Sequence, residues 1–69
     1  MAVHKMKIAR VSAGMNQQEL AKACEVTRQT IGLIEAGKFN PSLSLCIRIS
    51  ITLGKTLDDL FWPETLQQK

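Results

Sequence analysis

The chain of 69 residues has few of the side chains that metal sites and disulfide frameworks require. It contains one histidine, His4, and two cysteines, Cys24 and Cys46, and their spacing matches no zinc-ligand pattern. A small secreted protein held together by disulfides usually has more cysteines than two. We therefore interpret both cysteines as reduced core thiols, and we expect no metal and no other cofactor.

Candidate catalytic groups are equally scarce. Catalysis needs a positioned acid, base or nucleophile, and the one histidine lies at the N-terminus. Asp58 and Asp59 follow Thr56, which is typical of the first turn of a helix, where the helix dipole favours acids. No phosphate-binding loop is present. The sequence predicts that the protein is not an enzyme, and it offers no evident small-molecule site.

Long apolar runs are absent. The longest apolar-rich stretch, Leu43 to Leu53, is interrupted by Ser44, Arg48, Ser50 and Thr52 and is too short to span a bilayer. Met1 to Met6 lacks the apolar core of a signal peptide. We expect a cytoplasmic protein with no membrane partner.

The length and composition allow one small folded domain, residues 1–69. Apolar residues make up 45% of the chain, as in globular proteins, but the aromatic residues are only Phe39, Phe61 and Trp62. A chain this short buries a thin core, so its elements should be short.

The positive charge is concentrated in the first 40 residues. The net charge is +3. Up to Asn40 there are six basic and three acidic residues, whereas beyond Asn40 there are three of each. A polyanion is the natural partner of such a surface, although a merely soluble basic surface would give the same count.

Apolar spacing, caps and terminators predict an all-α chain. The five predicted helices are Lys5 to Ala13, Gln17 to Cys24, Arg28 to Ala36, Ser42 or Leu43 to Leu53, and Leu57 to Phe61. No strong strand is evident, although Ala2 to His4 could form a small terminal β-pairing with a segment near Trp62.

The second and third helices have the pattern of a helix-turn-helix over Asn16 to Ala36. Leu20, Ala21 and Cys24 face Ile31 and Ile34 across a tight turn at Glu25-Val26. This arrangement projects the third helix of the chain from the surface, where it can enter the major groove of DNA. The alternative is an ordinary helical hairpin. The polar outward face, with Arg28, Gln29 and Thr30, makes that alternative weaker.

Five ordered blocks extend the motif: Asn16 to Ala21, Thr27 to Ile31, Ile34 to Gly37, Asn40 to Leu43 and Leu57 to Phe61. Together they resemble the Cro/CI-type, or XRE-family, phage-repressor-like regulators, over about Met6 to Phe61. The resemblance implies a compact five-helix lambda-repressor-like domain. It is strongest with short single-domain members, which are often homodimeric repressors.

The resemblance also assigns residues to roles in DNA binding. It implies that Gln17 binds a phosphate and braces the recognition helix, that Thr30 can also bind a phosphate, and that Lys38 and Asn40 hold the backbone. The groove-facing positions are Thr27, Arg28, Gln29, Gly32 and Leu33. Arg28 could bind guanine or a phosphate, and Gln29 could pair with adenine. Leu33, if exposed, suits a thymine methyl group, or it belongs partly to the core. A buried ion pair is implied between Arg10 and Glu35.

Two residues depart from the family pattern. Glu25 stands where glycine is common in the turn, at a position often near left-handed geometry. Gly32 lacks a side chain where many relatives have a polar one. Either one base contact is missing there or the backbone approaches the groove more closely.

Operator symmetry normally mirrors a two-fold axis in the protein, so a homodimer is expected. Candidate interface residues lie in the segment 42–63 and are Ile47, Ile51, Leu57, Phe61 and Trp62, although Trp62 could instead cover its own core. The sequence thus predicts a DNA-binding transcriptional regulator, with repression as the favoured role. A DNA-binding antitoxin is the main alternative, and a protein-binding module that has lost DNA binding is another.

Overall fold

A computed structural model describes residues 5–61 of the chain, and these residues contain helices and no strand. The helices, in chain order, are α1 (Lys5–Ser12), α2 (Gln17–Cys24), α3 (Arg28–Glu35), α4 (Leu43–Leu53) and α5 (Leu57–Phe61). The all-α, five-helix prediction is confirmed. The suggested β-pairing of Ala2 to His4 near Trp62 lies outside the described residues.

Side-chain caps define where the helices begin. The Asn16 side chain accepts a hydrogen bond from the Glu19 amide at 2.7 Å, and the Glu19 carboxylate accepts one from the Asn16 amide at 2.9 Å. This reciprocal capping box satisfies two amides that the first turn of α2 leaves without helical partners. Thr27 and Ser42 cap α3 and α4 through their hydroxyls, which accept hydrogen bonds from the amides of Thr30 and Leu45.

Two helices end one residue earlier than predicted, α1 at Ser12 rather than Ala13 and α3 at Glu35 rather than Ala36. The reason is the tightening of the final turn before a left-handed glycine. After α3, the Gly37 amide bonds the Ile34 carbonyl and the Lys38 amide bonds the Leu33 carbonyl. Gly37 itself has φ +73°, a geometry that glycine adopts without steric cost.

The core forms where α2 packs against α3 and α4, and where α5 packs against α1 and α4. Its largest fully buried side chains are Met6, Leu20, Cys24, Ile31, Ile34 and Ile49. The helix-turn-helix therefore packs against α1 and α4, and α5 packs on those two helices. Two apolar residues of α1, Ile8 and Val11, lie outside this core and are exposed.

The two cysteines differ in environment. Cys24 is fully buried, as predicted, and burial raises the pKa of its thiol. Cys46 is a free thiol but only half-buried, so the prediction that it lies in the core was wrong. It lies between the buried and exposed faces of α4, next to the exposed Ile47.

Within the part of the chain that the structure describes, no helix is long and apolar enough to cross a membrane. The same residues contain no group of three or more potential metal ligands.

Candidate nucleic-acid interface

Helix α3 has one anchored face and one face open to solvent. Ile31 and Ile34 are almost completely buried, and they seat the helix on the core. Arg28 and Gln29 are exposed, and Leu33 is 37% exposed. The outward face therefore presents a cation, an amide and an aliphatic group, which can bind base edges, thymine methyl groups and phosphates.

A buried polar network holds α3 against α1 and α2. The Nε of Arg10 donates to Glu35 Oε2 at 2.7 Å, and its Nη2 donates to Glu35 Oε1 at 3.2 Å. The side chains of Arg10 and Glu35 are only 9% and 4% exposed. A bidentate pair of this kind restrains the orientation of the two helices as well as their distance.

Gln17 joins the same network from the first residue of α2. Its Nε2 donates to Glu35 Oε1 at 3.0 Å. Gln17 thus connects α2 to the end of α3, which is the bracing contact that the resemblance implied. The amide NH₂ has two hydrogens, so one remains for another acceptor.

Gly32 lies beside this brace. A Cβ added at Gly32 would meet only Gln17 Nε2, at 3.8 Å, an ordinary van der Waals distance. The absence of a side chain here is therefore not required by packing within the chain. It leaves a gap in the outward face of α3 between Gln29 and Leu33.

Thr27 and Thr30 form the N-terminal end of α3. The Thr27 hydroxyl accepts a hydrogen bond from the Thr30 amide at 3.1 Å, and the two hydroxyls lie 2.9 Å apart. Within the chain, these contacts cap the N-terminus of α3. Lys38 and Asn40 are exposed in the loop that follows α3.

The turn between α2 and α3 has the left-handed geometry that the sequence suggested. Glu25 has φ 61° and ψ 39°, which costs a non-glycine residue about 1 kcal/mol. Arg48 of α4 contacts this turn, with Nη1 3.3 Å from the Cys24 carbonyl oxygen and 3.1 Å from Glu25 Oε1. Sequence reasoning missed Arg48, although a lone cation within the apolar α4 was a visible signal.

The predicted interface residues do not form one surface. Ile47 and Ile51 are 41% and 75% exposed, and they share a stripe of α4 with Leu43, which is 67% exposed. Sequence reasoning missed Leu43, although it lies four residues before Ile47 and completes the helical spacing. Leu57 is half-buried and Phe61 packs against the core, while Trp62 lies outside the described residues.

Comparison with known proteins agrees with this geometry. The model of the family described as "Helix-turn-helix" matches residues 6–60. An uncharacterized HTH-type transcriptional regulator of Archaeoglobus fulgidus is 46% identical over 52 residues, which cover 75% of this chain and 74% of that protein. The uncharacterized HTH-type transcriptional regulator YgzD of Bacillus subtilis is 38% identical over 61 residues, covering 88% of this chain and 92% of YgzD.

Among solved structures, the restriction-modification controller protein C.AhdI of Aeromonas hydrophila superposes with a TM-score of 0.78. It is 26% identical, and the match covers 84% of this chain and 88% of C.AhdI. The chain belongs to the helix-turn-helix family of transcriptional regulators, in its XRE-type branch. The fold and the relatives are those of DNA-binding regulators and not of enzymes, as the sequence predicted.

Proposed function

We propose that the protein is a repressor that binds a pseudo-palindromic operator as a homodimer, with α3 in the major groove. The observation that carries this proposal is the division of α3 into a locked inner face and a polar outer face. Ile31, Ile34 and Glu35 fix the helix, and Arg28 and Gln29 remain exposed at its N-terminal half. In helix-turn-helix proteins that end of the recognition helix contacts base edges.

Base readout rests chiefly on Gln29. A glutamine side chain can bond adenine N6 and N7 together, and each good bidentate pair contributes about 1–3 kcal/mol of discrimination. Arg28 binds either guanine or a phosphate, and Leu33 packs on a thymine methyl group. Thr27 and Gly32 also lie at groove-facing positions, and Gly32 has no side chain with which to contact a base.

Phosphate contacts position the domain on the duplex. Gln17 keeps one amide hydrogen beyond its bond to Glu35. Thr30 lies in the first turn of α3, and Lys38 and Asn40 follow that helix; we assign all three to phosphates of the flanking backbone. Such contacts carry affinity and register but little sequence information.

A second copy of the chain supplies the other half of the operator. One recognition helix reads only about four to five base pairs, so a dimer is needed for a specific site. The exposed stripe of Leu43, Ile47 and Ile51 on α4 is the surface we assign to this contact. The dimer binds half-sites about one helical turn apart, and it represses by occupying DNA that the transcription machinery needs. We propose that it acts in the cytoplasm.

The test is selection of bound sequences from random DNA, with the wild-type chain and with Gln29→Ala. We expect a pseudo-palindrome from the wild type and loss of preference at one position per half-site from the variant. Gln17→Ala should instead weaken binding to all sequences, with its folding checked by thermal unfolding. Recovery of no palindrome, or an unchanged motif with Gln29→Ala, would refute the assigned reading face.

A further inference from the structure

A cleft of about 500 Å³ opens where α1, α2 and α3 meet. The proposed function gives no role to one of its lining residues, Lys7. The residues that line the cleft are Lys7, Arg10, Asn16, Gln17, Gln18 and Arg28. Three of the six are cationic and none is acidic, so the cleft is suited to an anion.

The three cationic side chains in the cleft differ in whether they have hydrogen-bond partners within the chain. Arg10 is buried, and three of its five N–H donors are used within the chain, two on Glu35 and one on the Met15 carbonyl oxygen at 2.8 Å. Lys7 and Arg28 are exposed, and neither side chain forms a hydrogen bond or ion pair with another residue of 5–61. Two cationic groups from different helices are thus left to face one opening.

The helical geometry of α1 explains why Lys7 faces this side. Lys7 precedes Arg10 by three residues, so the two share the face of α1 that meets α2 and α3. Lys5 lies about 200° away around the helix, and it lines a separate cleft between α1 and α5 with Lys55 and Asp59. The two lysines of α1 therefore serve different surfaces.

The position of the cleft identifies the anion. Arg28 is the first residue of α3 and Gln17 is the first of α2, so the cleft adjoins the end of the recognition helix that enters the groove. When that helix lies in the major groove, the anions beside it are phosphates of the DNA backbone.

We propose that Lys7 and Arg28 together bind one backbone phosphate in this cleft, which makes Lys7 a DNA contact of α1. This inference rests on the proposed DNA-binding function. It also assigns a role to Arg28, which lines this cleft: Arg28 binds phosphate, and base readout falls to Gln29 and Leu33.

The test measures DNA affinity by fluorescence anisotropy across a range of salt concentrations, with the duplex recovered by sequence selection and with a random duplex. Lys7→Ala should reduce the slope of log affinity against log salt by about 0.9, the value for one lost phosphate contact. Affinity should fall by a similar factor on both duplexes. Lys7→Arg should restore most of the slope.

Lys5→Ala is the matched control, because it removes the same charge from the same helix on the other face. Its slope should equal that of the wild type, when compared at equal folded fraction. Equal slopes for Lys7→Ala and the wild type, or an equal loss with Lys5→Ala, would overturn the proposal.

Arg28→Gln separates the two roles of Arg28. We expect a reduced salt slope and an unchanged selected motif, whereas loss of a guanine preference would overturn the assignment to phosphate. Failure of this inference is distinguishable from failure of the proposed function. In the first case the wild type still selects a palindrome from random DNA, and in the second it selects none or does not bind DNA.

Discussion

Two arginine–glutamate pairs in this protein show how burial changes what one residue contributes. Arg10–Glu35 is enclosed, whereas the side chains of Arg48 and Glu25 are 56% and 77% exposed. We expect Arg10→Ala to lower the free energy of unfolding by about 3–5 kcal/mol, because it leaves the Glu35 carboxylate buried without a partner.

Arg48→Ala is the control for that prediction, since it breaks an ion pair of the same chemistry in solvent. Its cost should be below about 1 kcal/mol. Urea unfolding of both variants measures the difference. Similar losses would mean that burial does not decide the contribution of these pairs.

Ser50 is a second residue whose surroundings allow a definite prediction. It is 5% exposed, and its hydroxyl has no hydrogen-bond partner among residues 5–61. Ser50→Ala removes the cost of this buried polar group and improves helix propensity, so we expect the free energy of unfolding to rise by about 0.5–1 kcal/mol. A loss of stability in thermal or urea unfolding would show that the hydroxyl has a partner in solution.

At the scale of elements, the turn between α2 and α3 holds measurable strain. Glu25 has positive φ, so Glu25→Gly should relieve about 1 kcal/mol while also losing the contact with Arg48. Glu25→Ala loses the same carboxylate and keeps the strain. The glycine variant should therefore be the more stable of the two by about 1 kcal/mol in urea unfolding, and equal stability would contradict this account of the turn.

In helix α3, by contrast, a glycine, Gly32, stands at a position that does not require one. Its geometry is helical and there is space for a Cβ, so Gly32→Ala should raise the free energy of unfolding by about 1 kcal/mol through helix propensity. Gly54→Ala is the matched control, since φ +67° there should make the same change destabilising. A destabilised Gly32→Ala would show that the helix needs glycine for a reason outside its own packing.

The DNA affinity of Gly32→Ala then decides between the two interpretations of this glycine. Unchanged affinity indicates only a missing contact. Weaker binding by a more stable protein indicates that the backbone of α3 approaches the DNA closely.

At the scale of the whole molecule, the apolar stripe on α4 predicts the assembly. Ile51→Asp changes a side chain that is 75% exposed, so the fold should persist while the proposed dimer dissociates. Loss of the second half-site contact should reduce affinity for a palindrome by about a hundredfold, because binding is no longer bivalent.

Ile8→Asp is the control for the stripe, since Ile8 is also exposed, at 56%, but lies on α1. Sedimentation equilibrium should show a monomer for Ile51→Asp and the wild-type assembly for Ile8→Asp. A dimer that persists in Ile51→Asp would place the interface elsewhere.

The sequence by itself determined the local features of this protein. Caps at Asn16, Thr27 and Thr56 and the apolar spacing located all five helices to within one residue, because these signals act between residues three or four apart. The resemblance to the family suggested the left-handed turn at Glu25 and named the pairing of Arg10 with Glu35.

Only the tertiary structure decided which surfaces those helices share. The cleft that brings Lys7 to Arg28, and the contact of Arg48 with Glu25, join residues more than 20 positions apart. The sequence offered Ile47, Ile51, Leu57 and Phe61 as one interface, but packing turned Phe61 to the core and left Leu43 exposed instead. Helical periodicity specifies that a face is apolar, whereas the crossing of the helices specifies whether another helix already covers it.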